Sequence, residues 1–231
     1  MTRISGRTRL VGILGWPIEH SLSPAMHNAA FAARGLDWAY VPLPTPSERL
    51  ADAVRGLAAL GFAGANVTTP HKLAVVEHCD TAAPSVNTLV VNEGTVRGST
   101  TDTAILDGLA AERPVVVGDG GAATAFLHAL PEARRFSRRG TWPPDADGAD
   151  LVVNATSLRD EVVVEVGAGQ VLVDLPYPET ATAVAARRAG AQVVTGLEVL
   201  VAQGAASFEL WTGVAAPVDV MCAAVGLERA M

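Results

Sequence analysis

Short apolar runs alternate with helix-length segments along nearly the whole chain, and this alternation restricts it to an α/β layer architecture. Residues 10–14 form an apolar run ending at Gly15-Trp16-Pro17, the pattern of a strand entering a loop. Ser23 and Pro24 read as the cap and first turn of a helix that stops at Gly35. Strands over 38–43 and 63–67 follow, with a helix over 46–60 between them. Pro70 is expected to open a helix carrying Lys72 in its first turn, and residues 86–92 and 95–97 to form a hairpin about Glu93-Gly94. A helix over 103–111 closes this first series. The pattern then restarts with a buried strand at 114–117, a glycine-rich turn at 118–122 and a helix over 122–130. That succession is the opening of a dinucleotide-binding unit. Strands over 134–137, 151–153, 170–174 and 192–195 follow, with helices over 180–188, 197–212 and 218–225.

A net charge of −7 over 231 residues argues against nucleic acid or an anionic membrane as partner. Cys79 and Cys222 form no CxxC pair and read as thiols of a reducing compartment, and the five histidines show no metal-like spacing. The basic first nine residues run into a strand-like segment, too short for a signal sequence or membrane span. The expectation is a cytoplasmic protein with a small-molecule substrate, as monomer or homodimer, without metal.

Lys72 is the single lysine of the chain, all other basic charge being arginine. A guanidinium stays protonated in proteins, whereas an ammonium can be desolvated and made to exchange its proton. A lone surface lysine is the bland alternative, and the residues around it, Asn66-Val67-Thr68-Thr69-Pro70-His71-Lys72, weigh against it.

These residues belong to an ordered set. Gly15-x-Pro17-Ile18-x-His20-Ser21-x-Ser23-Pro24 precedes them. Val86-Asn87-Thr88, Thr101-Asp102, Gly118-x-Gly120-Gly121-Ala122, Asn154-Ala155-Thr156-Ser157, Asp174-x-x-Tyr177 and Gly196-Leu197-x-x-Leu200-Val201-x-Gln203 follow in turn. The set resembles the shikimate dehydrogenase family over almost the whole chain. The resemblance implies an α/β substrate-binding domain over 1–103 plus 205–231 and a trimmed Rossmann-like domain over 104–204, with a groove between them. It implies NADP(H) as cofactor and hydride transfer between NADPH and the ketone of 3-dehydroshikimate.

By the same resemblance Lys72 and Asp102 are the catalytic pair, against the plain alternative of a structural Lys–Asp salt bridge. Ser21 and Ser23 anchor the substrate carboxylate, helix capping being the other use of Ser23. Thr68, Asn87, Tyr177 and Gln203 map to substrate ligands, and Asn66 to a brace for its loop. Gly118, Gly120, Gly121, Ala122, Asn154, Thr156 and Gly196 map to the cofactor site, and Ser137, Arg138 and Arg139 to ligands of the 2′-phosphate of NADP. A solvated basic surface is the competing reading of these arginines. Departures from the family pattern gather here: Asp119 stands where a small neutral residue is usual, and Gly140 to Asp150 replaces a helix and a strand. A weakened adenosine pocket is expected from both. Quinate or aminoshikimate oxidation, or ligand binding without catalysis, remain the alternatives.

Overall fold

The computed structural model describes residues 4–228, in two compact units, Met1–Thr101 with Val201–Met231 and Asp102–Leu200. The first unit holds a sheet of β1 (Arg9–Gly15), β2 (Trp38–Pro44), β3 (Gly64–Val67), β4 (Thr88–Asn92) and β5 (Thr95–Ser99). Its order is β2-β1-β3-β4-β5; β1 runs parallel to β2 and β3, and the β3–β4 and β4–β5 pairs are antiparallel. The hairpin closes where expected, with Glu93 and Gly94 both at positive φ, 49° and 78°, the conformation a two-residue hairpin turn needs.

Helices α1 (Ser23–Ala33) and α2 (Leu50–Ala59) make the crossovers from β1 to β2 and from β2 to β3. Leu50, Val54 and Leu57, spaced at helical period, place one stripe of α2 against Leu14, Ala65, Val67 and Leu89 of the strands. An aromatic cluster forms a second core: Phe31 of α1 lies 5.3 Å from Phe208 of α5 (Gly196–Thr212), between ring centroids. His27 stacks on Tyr40 at 4.5 Å and meets Trp211 at 5.3 Å.

His27 is fully buried and neither ring nitrogen has a hydrogen-bond partner. Burial alone lowers its pKa to about 3. An unfolded histidine titrates near 6.5, so between these values the unfolded chain binds a proton that the folded chain refuses. Stability therefore rises with pH in that window and falls, by on the order of a few kcal/mol, as pH drops from 6.5 towards 3. Urea unfolding of wild type and His27→Phe across this range should show a clearly shallower acid loss in the variant. Parallel pH profiles would remove His27 from the cause.

The second unit is an all-parallel sheet of β6 (Val115–Val117), β7 (Arg134–Phe136), β8 (Leu151–Asn154), β9 (Val171–Asp174) and β10 (Gln192–Val194) in the order β10-β9-β8-β6-β7. Successive residues serve opposite faces. Val115, Val117, Val152 and Leu172 belong to one core, and Val116, Leu151, Val153 and Val173 to the other. The usual doubly wound order is 3-2-1-4-5-6, and this sheet reproduces 2-1-4-5-6. Among the described residues no strand takes the third place, so β7 is an edge.

The layer normally built by regular elements is instead built by irregular chain. Ala146 and Ala149 of the Gly140–Asp150 loop, with Val163, Val164 and Val166, pack on the same face as α4 (Ala181–Arg188). Gln170 Nε2 holds that loop by donating to the carbonyls of Ala146 and Ala149, each at 2.9 Å. Arg134 fixes it from the edge strand through the Asp147 carbonyl at 2.7 Å.

Two expected helices take other forms. After β3 the chain makes turns over residues 69–73 and a 3₁₀ segment, Ala74–His78. The Lys72 carbonyl, which an α-helix would offer to residue 76, accepts instead from Val86 N–H at 2.9 Å. Residues 103–111 form only a short 3₁₀ turn, Asp102–Leu106, tightened by i→i−3 bonds and ended by Gly108 at φ 85°. The remaining helices are α3 (Gly121–Ala129) and α6 (Val218–Ala224). Among the described residues no helix is long and apolar enough to cross a membrane.

Candidate functional site

In the first unit, the loops that follow β1 and β3 are tied to each other by backbone bonds. Thr68 N–H donates to the Leu14 carbonyl (2.9 Å), Trp16 N–H to Thr69 (3.2 Å) and Thr45 N–H to Gly15 (2.9 Å). The buried His71 ring reaches the Thr45 carbonyl at 2.6 Å, so Nε2 carries the proton. Together with the Val86 bond to its own carbonyl, this fixes the backbone on both sides of Lys72, which is half-buried. Thr68 lies in the same loop system, also half-buried.

Ser21 and Ser23 stand at the start of α1, but Ser23 does not cap it. The cap position is Leu22, without a side-chain bond, and Pro24 sits in the first turn. Ser21 supplies the nearest substitute, its hydroxyl accepting from Ser23 N–H at 3.3 Å. The two short hydroxyls therefore lie at the N-terminal end of a helix, a place suited to an anion.

Asn87 and Gln203 meet directly: Asn87 Nδ2 donates to Gln203 Oε1 at 3.2 Å. Asn87 also donates to Thr101 Oγ1 at 2.9 Å, and its Oδ1 accepts from Thr101 N–H at 2.7 Å. Asn87 thus grips the residue immediately before Asp102. Asn66 braces the site from beneath. Its Oδ1 accepts from Tyr40 Oη (2.9 Å), and its Nδ2 reaches the Asn87 carbonyl, Thr88 Oγ1 and Ser207 Oγ.

In the second unit, Asp102 is buried and opens the short 3₁₀ turn. The glycine turn leads from β6 into α3. Gly118 has φ 138°, and a Cβ there would stand 2.9 Å from the Ala155 carbonyl oxygen, so only glycine fits. A Cβ on Gly120 would meet nothing within 4 Å, which leaves open space before the N-terminus of α3, formed by Gly121 and Ala122. That is room for an anionic group to approach backbone N–H groups. Gly196 is required for a different reason: its Cβ would fall 2.3 Å from the Pro176 carbonyl oxygen, against the loop carrying the half-buried Tyr177.

Asn154 is wholly buried and shapes its loop from within. It donates to Asp174 Oδ1 at 2.7 Å and accepts from the Thr156 hydroxyl at 2.8 Å. The Thr180 hydroxyl donates to the other Asp174 oxygen at 2.6 Å while capping α4 through Ala183 N–H. Burial raises the Asp174 carboxyl pKa, and these two donors oppose the rise.

Ser137 is buried at the end of β7, while Arg138 and Arg139 are exposed. Each arginine faces a carboxylate. Arg138 pairs with Glu161, its guanidinium 5.5 Å from the Trp142 ring centroid, and Arg139 Nε lies 3.5 Å from Asp119 Oδ2. Asp119 thus lies against one of the candidate phosphate ligands. Among the described residues no group of three His, Cys, Asp or Glu side chains could hold a metal ion.

Sequence reasoning missed Ser207, Glu161 and Trp142. Ser207 lies one helical turn after Gln203 on α5, a spacing that shares one face and was available as a signal. Glu161 is twenty-three residues from Arg138 in an irregular segment, and no local pattern marks it.

Residues 13–91 match the family model for the shikimate dehydrogenase substrate binding domain, and residues 196–225 that for the shikimate 5′-dehydrogenase C-terminal domain. The NADP⁺-dependent shikimate dehydrogenase of Anaeromyxobacter sp. (strain Fw109-5) is 42% identical, over 96% of this chain and 97% of that protein. The shikimate dehydrogenase structure from Aquifex aeolicus superposes with a TM-score of 0.86 at 28% identity, covering 96% of this chain and 99% of that one. The Thermus thermophilus shikimate 5-dehydrogenase, solved with NADP(H) and shikimate, gives 0.83 at 30% identity, covering 94% and 98%.

Proposed function

The chain belongs to the shikimate dehydrogenase family, and from that membership we propose that it interconverts 3-dehydroshikimate and shikimate with NADP(H) as redox partner. The observation that carries the proposal is the setting of the single lysine. Lys72 sits on a backbone pinned by His71 on Thr45 and by Val86 on its own carbonyl, beside a pair of locked amides in the same unit.

When bound, NADP(H) supplies or accepts the hydride. As the ketone is reduced, its oxygen gains negative charge, and the Lys72 ammonium stabilises that charge and hands over a proton. In the oxidative direction the neutral amine takes the hydroxyl proton. Asp102 is the carboxylate that takes a ring hydroxyl of the substrate. Ser21, Ser23 and the first turn of α1 receive the substrate carboxylate; Thr68, Asn87, Gln203 and Tyr177 orient the ring hydroxyls.

The residues of the second unit fit NADP(H). The open turn at Gly118, Gly120, Gly121 and Ala122 suits its diphosphate, Ser137, Arg138 and Arg139 its 2′-phosphate. Asn154, Thr156 and Gly196 shape the loops beside it. The 2′-phosphate must compete with the Asp119 and Glu161 carboxylates for these arginines. That competition favours one second reading, a protein that keeps the substrate site and holds the cofactor weakly.

Initial rates with shikimate, quinate and aminoshikimate, each with NADP⁺ and NAD⁺, test the assignment. Shikimate with NADP⁺ is expected to give the highest kcat/KM. A preference for quinate would move the substrate assignment, and a preference for NAD⁺ would remove Arg138 and Arg139 from cofactor selection.

A further inference from the structure

We propose that Ser207 and Thr88 are positioning residues for the substrate: with Thr101, their hydroxyls form a buried triangle that sets the orientation of the Asn87 and Gln203 amides. The proposal rests on the reading of those two amides as ligands of the ring hydroxyls. The three oxygens lie 2.9 Å (Ser207–Thr88), 3.1 Å (Ser207–Thr101) and 3.2 Å (Thr88–Thr101) apart. Ser207 and Thr88 are fully buried and Thr101 is nearly so, which keeps water from substituting for a missing vertex.

The donors around the triangle leave little freedom. Three hydroxyls bring only three protons. The Ser207 proton points to the Gln203 carbonyl at 2.9 Å. Asn66 Nδ2 donates into the triangle from one side, at 3.0 Å to Ser207 and 3.1 Å to Thr88. Asn87 Nδ2 donates from the other side, at 2.9 Å to Thr101 Oγ1. The Asn87 oxygen must then take Thr101 N–H at 2.7 Å and the Thr88 hydroxyl at 3.1 Å. Flipping the amide would set Nδ2 against a backbone N–H. The lock passes on, because Asn87 Nδ2 also donates to Gln203 Oε1 and so decides which end of the Gln203 amide faces Asn87.

Removing one hydroxyl should therefore loosen ligand geometry as well as stability. Calorimetry can read this with shikimate titrated in the presence of NADPH, with which it cannot react, and with NADPH titrated alone. Ser207→Ala and Thr88→Val should each weaken shikimate binding about tenfold, the scale of one buried hydrogen bond, with NADPH binding unchanged. Thr88→Ser, which keeps the hydroxyl, should bind shikimate nearly as wild type does. If Ser207→Ala fails to fold, the Thr88 pair decides alone. A fall in melting temperature with shikimate affinity retained in both hydroxyl-deleted variants would reduce the triangle to a packing feature and overturn the proposal. Gln203→Ala separates the premise from the inference: unchanged shikimate binding there would overturn the ligand assignment itself, and the proposal with it.

Discussion

Lys72→Ala is expected to lower kcat by about 10²–10⁴ while shikimate affinity changes little, the loss typical of a missing general acid. In the proposed mechanism the ammonium contributes most where charge develops on the oxygen, in the transition state, and less to the bound ground state. The surroundings should survive the substitution, because the local backbone is held by Val86 and by His71 on Thr45, not by the lysine side chain. Lys72→Arg should fail nearly as badly: a guanidinium is larger and releases no proton near neutrality. Steady-state kinetics with a parallel shikimate titration measure both effects. Near-normal kcat in either variant would remove Lys72 from proton transfer.

Arg138→Ala combined with Arg139→Ala should raise the KM for NADP⁺ roughly ten- to hundredfold, as expected for charge-assisted phosphate contacts, and leave that for NAD⁺ almost unchanged. Both guanidiniums are exposed and already face carboxylates, Glu161 and Asp119, so salt screening places the effect nearer the lower bound. Asp119→Ala should act in the opposite direction. It removes a negative charge from the turn proposed to hold the diphosphate and releases Arg139, so NADPH should bind more tightly, most visibly at low salt. Equal losses for NADP⁺ and NAD⁺ in the double variant would make the arginines ordinary surface charge. No gain in Asp119→Ala would show that the carboxylate does not oppose the cofactor.

Regular elements were legible where the hydrophobic period is local. The 10–14 run, the Glu93-Gly94 hairpin and the strand, glycine turn and helix from 114 onwards each carry their own pattern, and all three form. The helix expected after Pro70 fails because a distant partner intervenes: the Lys72 carbonyl is claimed by Val86. The one expected over 103–111 stops at Gly108, whose φ of 85° lies outside the α-helical region, and the N–H groups of Glu112 and Arg113 just beyond it go to the Asp150 carboxylate at 2.7 and 3.0 Å. The irregular layer over the second sheet was equally hidden, since Ala146, Ala149 and the valines at 163, 164 and 166 pack without any period. It fills the layer left by the absent regular elements, which tempers the expectation of a pocket wall lost outright. Around Lys72 the motif marked the residues, while their fixation comes from bonds between separate loops.

The most direct test mixes the purified protein with NADPH and 3-dehydroshikimate, follows NADPH absorbance and identifies the product. Stoichiometric conversion to NADP⁺ and shikimate is expected, lost in Lys72→Ala. Binding of shikimate and NADPH by the wild type with no NADPH oxidised would contradict the proposed function and leave a ligand-binding protein in place of an oxidoreductase.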